Sequence, residues 1–422
     1  MRGLMRAALV SIPAVAAGLS PAVAAEPAAE LVSVATGGAQ ANDTPLVDTP
    51  SLSANGRYAA FNSLATNLVP RDTNGQADVF LRDRKLGRTT RISVGAGGRQ
   101  SNGQSIAPSV SADGRLVAFS SQATNLVPGD TNRSEDIFLR DHPAGTTTRV
   151  SVGPGGAQAN GQSFEPSLAA RAPVVAFGSS ASNLVPGGTD GEAHVFVRDL
   201  RAGRTTQVDL GLGGAQPDGI GLLIGISADG RFVAFDSTAS NLVLGGTDGD
   251  RHVFVRDLSA GTTVQVDVGP GGARPNGGSG NGDLSAGGRY VVFESAATNL
   301  LPGGNPPGLF LRDLEAGRTT LVTDRGGFAG GVSAGGRHVA FVSEEPGLVP
   351  RDTNGRADVF VYDVRAGTTA RASVGPGGRQ ANGDSNSPEI SDDGRTVAFA
   401  STATNLVPGD ANDVPDVFAR TR

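Results

Sequence analysis

Apolar residues in this chain fall in short runs broken by turn residues, and the pattern reads as strands. In the segment Pro108 to Val152, Ser109-Val110-Ser111 is short and extended, and Ala112-Asp113-Gly114 is the Asp-Gly turn that hairpins favour. Arg115 to Phe119 follows as a second strand with apolar side chains on both faces. A loop spans Asn125 to Asp130, and Asp136 to Arg140 is a third strand. Ala144-Gly145 then turns the chain into Thr146 to Val152, a fourth strand rich in β-branched residues.

The unit recurs. Asn-Leu-Val-Pro begins at Asn67 and Asn125, returns altered at Asn183, Asn241, Asn299 and Gly347, and is intact again at Asn405. The first four steps are each 58 residues, the next is 48 and the last is 58. A fixed period of this length marks a repeat architecture. Seven four-stranded units with two-sided burial predict an all-β, seven-bladed β-propeller of four-stranded antiparallel blades. A sandwich leaves the copies unexplained, and a solenoid would show shorter repeats without Asp-Gly hairpins.

The last unit stops after its third strand, Asp416 to Arg420. Leu31-Val32-Ser33-Val34, followed by Gly37-Gly38-Ala39-Gln40-Ala41-Asn42, matches a fourth strand and its exit loop. Residues 31–35 are therefore expected to complete the C-terminal blade, closing the ring and covering its edges. A single propeller is expected over 26–422.

Pro108 to Arg115, running on to Phe119, resembles the WD-repeat-like module of the TolB family, whose usual form is Pro-x-aromatic-Ser-Pro-Asp-Gly-Arg/Lys before an apolar strand ending in Phe. The module returns at Ser227 to Phe235 and at Ser391 to Phe399, so the resemblance covers essentially the whole chain after its first residues. Here Val, Leu or Ile replaces the aromatic, and Ala or Asp replaces the second Pro. The third unit, Ala169-Ala170-Arg171-Ala172-Pro173, has lost the turn. TolB carries a further α/β domain, not found in these repeats, so its lipoprotein partnership is not carried over.

In each unit the first and third connections are short turns, whereas the second connection and the link to the next unit are long. Strand alternation brings both long connections to one face, where any binding residues are expected. The sharpest chemical candidate there is Asp-x-Asn with an Asp four residues on. It occurs as Asp72, Asn74, Asp78; Asp130, Asn132, Asp136; Asp352, Asn354, Asp358; and Asp410, Asn412, Asp416. Calcium favours several oxygen ligands and a Gly at a sharp bend. Asp72-Thr73-Asn74-Gly75 and Asp352-Thr353-Asn354-Gly355 supply both and resemble the latter part of the calcium loops of integrin-type propellers, without their first acidic ligand. The same residues equally write Asx turns bonded to their own backbone. Weak structural calcium sites and plain turns both stay open.

Units three and four carry Gly188 and Gly246 for the first Asp, and His194 and His252 in the last position, where partial exposure at a strand start is expected. Gly153-Pro154-Gly155-Gly156 and its relatives read as linkers, since neither a helix nor a phosphate-binding Lys follows. The recurring amides Gln100, Asn102, Gln158, Asn160, Gln380 and Asn382 could bond sugars or peptides, and loop-internal bonding is the plainer expectation.

Composition narrows the function. The chain has no cysteine, which excludes disulfides and thiolate chemistry. The net charge of −6, with acidic and basic residues interleaved, argues against nucleic acid. Arg2 and Arg6, the apolar run Ala7 to Leu19 and the small residues Ala22 to Ala25 read as an export signal over 1–25. The run is short for a bilayer, so a secreted or cell-envelope protein, not inserted in the membrane and monomeric, is expected. No acid, base or nucleophile stands out from the repeat consensus, so no catalytic residue is assigned. The expected function is a non-catalytic propeller that binds a protein, peptide or cell-envelope glycan through its loop-rich face. The alternative is a polysaccharide hydrolase or lyase with carboxylates at the axial channel; an axial pocket lined by unrepeated acidic residues would favour it. Symmetry fails between Gly303 and Gly331, a further place for a partner.

Overall fold

A computed structural model describes residues 29–43 and 50–422. The export signal expected at 1–25 lies outside these residues. Seven four-stranded antiparallel sheets stand in a ring, and in six of them the strands are in sequence order from the axis outward. In the second blade these are Ser105–Val110, Leu116–Ser121, Asp136–Asp141 and Thr146–Arg149. The seventh takes Ser385–Ile390, Thr396–Ser401 and Asp416–Thr421 from the C-terminal end, and its outer strand is Glu30–Leu31. Leu31 lies opposite Phe418, and Val32 N–H donates to Val417 O at 2.7 Å. The expected closure is therefore present, with its ladder starting one residue earlier than the sequence suggests.

Two strand boundaries differ from expectation, each for a local reason. The inner strand of the second blade begins at Ser105 because a bulge between Ile106 and Ser109 lets it turn back into the ladder, with Ala107 at φ 49°. The outer strand ends at Arg149 because Val152 N–H turns back to Val150 O at 2.8 Å and so leaves the ladder.

Alternation of side chains along each strand builds the core between blades. Ala60, Val79, Leu81 and Ile92 of the first blade pack on Val117, Phe119 and Phe138 of the second. Every blade stacks a Phe of its second strand on the Phe directly opposite in its third. The pairs include Phe119 with Phe138 at 5.9 Å and Phe235 with Phe254 at 5.6 Å between ring centres. Each fully buried Phe contributes about 1.5–3 kcal/mol of hydrophobic stabilisation.

The Asp-Gly turns join neighbouring blades. Gly114 has φ +75°, and a Cβ there would lie 2.3 Å from Tyr58 of the preceding blade. Around the axis the turns hydrogen-bond in sequence: Ala112 N to Ala170 O, Arg171 N to Ala228 O, Ala228 N to Ala286 O, Ala334 N to Asp392 O, and Asp393 N to Ala54 O.

Candidate functional site

The recurring amides of the loop-rich face are committed to the scaffold. Gln100 Oε1 accepts from Thr73 N at 3.1 Å and Arg91 Nη1 at 2.9 Å, while its Nε2 donates to Arg71 O at 2.7 Å. Asn102 donates through Nδ2 to Thr124 Oγ1 and accepts from Thr124 N, both within the next blade's loop. Gln158 and Asn160, and Gln380 and Asn382, repeat the arrangement. These links tie consecutive blades together, and the amides' hydrogen-bonding capacity is largely used there.

The Asp-x-Asn residues converge at the start of the third strand. Asn74 Nδ2 donates to Asp78 Oδ2 at 3.0 Å, and its Oδ1 accepts from Gln76 N, an Asx turn. Ser93 and Ser101 hydroxyls donate to Asp78 Oδ1. A cation already faces the two carboxylates: Arg91 Nη1 is 3.0 Å from both Asp72 and Asp78. In the second blade Arg149 lies 3.3 Å from Asp130 and 3.5 Å from Asp136, beside Asn132. In the sixth, Arg371 lies 2.7 Å from Asp352 and 3.3 Å from Asp358, beside Asn354. Burial pushes Asp72 and Asp130 above the usual carboxylate range, against the pull of the arginine. The seventh blade brings Asp410, Asn412 and Asp416 together in the same way, but among the described residues no arginine forms an ion pair with them. Among the described residues, no group of three or more His, Asp or Glu side chains converges in a manner suited to a metal.

His194 and His252 depart from expectation. Both are fully buried, because each replaces the strand-three Asp while the strand-four Ser becomes an Asp. His194 Nδ1 is 2.8 Å from Asp209 and its Nε2 is 2.8 Å from Asp190; His252 sits likewise between Asp267 and Asp248. Burial opposes the charged ring, yet the aspartates outweigh it, and His252 is raised to about 9. Gln207 and Gln265 stand where Arg91 stands and donate to Asp209 and Asp267. Charge has moved from one strand to its neighbour and the station stays satisfied.

The axial channel holds what sequence reading missed. Inner strands of all seven blades line a cavity of about 360 Å³ that includes Ser51, Ser109, Glu165, Ser167, Asp283 and Glu389. Ser51, Ser109 and Ser167 occupy equivalent positions and accept the backbone N–H of the next blade, from Val110, Leu168 and Ile226. Asp283 replaces the Ser in the fifth blade and accepts from Val332 N at 2.8 Å. Glu389 replaces it in the seventh, and Gly331 in the blade between leaves it room, since a Cβ there would lie 3.2 Å from Glu389 Oε2. Both carboxyls are only partly covered by protein and otherwise face the channel. Burial pushes Asp283 up to about 7, and burial with the charges of Asp283 and Asp392 pushes Glu389 well above its ordinary value. Glu165 sits at φ 49° on its bulge, a conformation that side-chain-bearing residues seldom adopt. Arg171, where the third unit lost its turn, reaches from the third blade to Asp392 of the seventh at 3.7 Å. These blades are not neighbours, so the contact spans the axis on the turn face.

The irregular region is also visible. The shortened link between the fifth and sixth blades brings Phe328 to the surface, 65% exposed, beside a cavity of about 590 Å³ that includes Arg251 and Glu294.

No protein-family model matches the chain, and no curated protein matches it in sequence. Solved structures do share the architecture. The β-propeller domain of the trilobed protease from Pyrococcus furiosus, whose topology is described as open velcro, aligns with a TM-score of 0.54 and 11% identity over 90% of this chain and 94% of that one. An oligogalacturonate lyase in complex with manganese aligns at 0.53 with 12% identity, over 94% and 98% of the two chains. TolB from Acinetobacter baumannii aligns at 0.40 with 16% identity over 69% of this chain, and the match spans 58% of the TolB chain's own length. The chain is a seven-bladed β-propeller with solved TolB proteins among its structural neighbours. No helix among the described residues is long and apolar enough to cross a membrane.

Proposed function

We propose that this chain is an exported, monomeric binding propeller whose ligand engages the axial channel rather than the loop amides. One observation carries the reading: the serine belt is broken by carboxyls at Asp283 and Glu389, while the loop amides are spent on holding blades together. Carboxyls that burial pushes upward can stand protonated or ionised, and so can donate or accept, a combination suited to the hydroxyl and amine groups of a peptide or cell-envelope glycan. Unrepeated polar groups facing a cavity in a repetitive scaffold have no part in its symmetry, and binding sites recruit such groups. The protease domain and the lyase share the fold, which is compatible with several functions.

The same pair supports a second reading, cleavage of a polysaccharide by paired acid and base carboxyls, because Asp283 is held near neutrality by its surroundings. The test is a capture experiment from cell-envelope extract and culture supernatant with the chain from residue 26 onward. An Asp283→Asn, Glu389→Gln double variant is expected to lose what the parent retains, whereas Gln158→Ala is expected to keep it. Retention by the double variant would reject the channel as the binding place. Release of reducing ends from envelope polysaccharide by the parent alone would favour cleavage.

A further inference from the structure

The four Asp-x-Asn stations are not equivalent. In the first, second and sixth blades the fourth strand sends an arginine between the carboxylates. The fourth strand of the seventh blade comes from the other end of the chain. Its register sets Leu31 opposite Phe418, just as Arg91 lies opposite Phe80, so Leu31 stands where the guanidinium would originate.

The remaining geometry is preserved. Asn412 Nδ2 donates to Asp416 Oδ2 and to Ala41 O, both at 3.0 Å, and Ser33 Oγ donates to Asp416 Oδ1. Gln40 joins Gly409 and Ala411 as Gln100 joins the first blade's loop. One oxygen, however, has lost the partner that its sisters keep. In the first, second and sixth blades the Asn Oδ1 accepts from the backbone N–H two residues on, at Gln76, Ser134 and Arg356. Among the described residues Asn412 Oδ1 has no hydrogen-bond partner and is sealed from solvent; Asp410 Oδ1 also lacks one, as does Asp130 Oδ1, which Arg149 nevertheless faces at 3.3 Å. Asp416 itself is fully buried.

We propose that Asp410, Asn412 and Asp416 bind one divalent cation of the calcium type, which stands in for the arginine of the sister blades. The warrant is the internal comparison: the same residues face a positive charge in three copies, and the fourth has exchanged its source of charge for Leu31. The donors are all oxygens, two carboxylates and an amide, the set that a hard cation takes. Because Asp416 bonds Ser33, a bound cation would fasten the closing strand to its blade. In the other three stations the arginine does this work without an ion, so calcium is confined to the seventh.

The test uses the chain from residue 26 onward, stripped with chelator and titrated near pH 7.5 with calcium in calorimetry and in thermal unfolding. One molar equivalent of binding and a rise in melting temperature at millimolar calcium are expected. Leu31→Arg is expected to abolish both responses while keeping the chelated melting temperature at or above that of the parent. Arg91→Leu is expected to raise the stoichiometry from one to two by unmasking the first-blade station. Absence of heat and of any thermal shift in the parent would overturn the proposal. So would a calcium response that survives both Leu31→Arg and Asp410→Asn.

Discussion

Ser33 and Asp416 stand 383 positions apart in the chain and share a buried hydrogen bond in which the hydroxyl donates to the carboxylate. The same hydroxyl accepts from Val417 N–H at 3.0 Å, so one side chain holds both the polar station and the ladder of the closing strand. Ser93 does both tasks within the first blade, bonding Asp78 and Val79 N. Ring closure thus reuses a motif that elsewhere works between consecutive strands.

Removing residues 31–35 is therefore expected to lower the melting temperature sharply, and Ser33→Ala to cost about 1–3 kcal/mol by leaving a buried carboxylate oxygen without its donor. Thermal unfolding followed by circular dichroism measures both. A deletion variant that melts with the parent would mean that the seventh blade is complete without its outer strand.

Histidine protonation predicts how stability responds to alkali. The rings of His194 and His252 are raised in the folded protein, the latter to about 9, by the aspartates on either side after burial has been overcome. Folding therefore takes up protons, and the contribution is complete below the unfolded value of about 6.5 and lost as pH rises towards about 9. Denaturant midpoints of the parent and of a His194→Gln, His252→Gln variant should converge between these pH values. A constant separation would show that the folded rings are neutral.

Exchanging one station for another tests whether charge is truly conserved across strands. His252→Asp alone sets a second carboxyl against buried Asp267 and is expected to cost about 3–5 kcal/mol. Adding Asp267→Ser and Gln265→Arg restores the Asp, Ser and Arg of the first-blade station, with Gly246 and Asp248 left in place, and is expected to recover most of that loss. Urea unfolding of the single and triple variants gives the comparison, and equal destabilisation in both would refute the exchange.

The blade interfaces set the scale for apolar losses. Phe119→Ala removes a fully buried ring stacked on Phe138 and should cost about 3–5 kcal/mol. Gly114→Ala should cost about 1–3 kcal/mol through its positive φ, and more because of the contact with Tyr58. Pairing it with Tyr58→Ala should relieve the contact and leave the backbone cost. No recovery in that pair would indicate that the ring is not the obstacle.

The ring and its closure were legible in the sequence because they rest on what repeats: Asp-Gly turns, Phe at fixed places, and a broken unit at each end that fits the other. Inner-strand extent was harder, since Ala107 and Glu165 lie in bulges that interrupt alternation. The channel carboxyls escaped notice because the inner strands carry the weakest consensus. Aligning Ser51, Ser109 and Ser167 with Asp283 and Glu389 exposes them, but that alignment depends on knowing where each bulge falls. The surroundings of the buried histidines are not legible because His194 is balanced by Asp209, just past the end of the neighbouring strand and 15 positions later. Pairing between strands, rather than neighbourhood along the chain, decides their surroundings.

Pairing Leu31 with Phe418 also fixes an order of events. A ribosome makes the outer strand of the seventh blade before any other part of the ring and supplies its partner last. The growing polypeptide must therefore carry an unsatisfied edge through nearly all of its synthesis, and a product truncated before Asp416 would keep that edge open to aggregation.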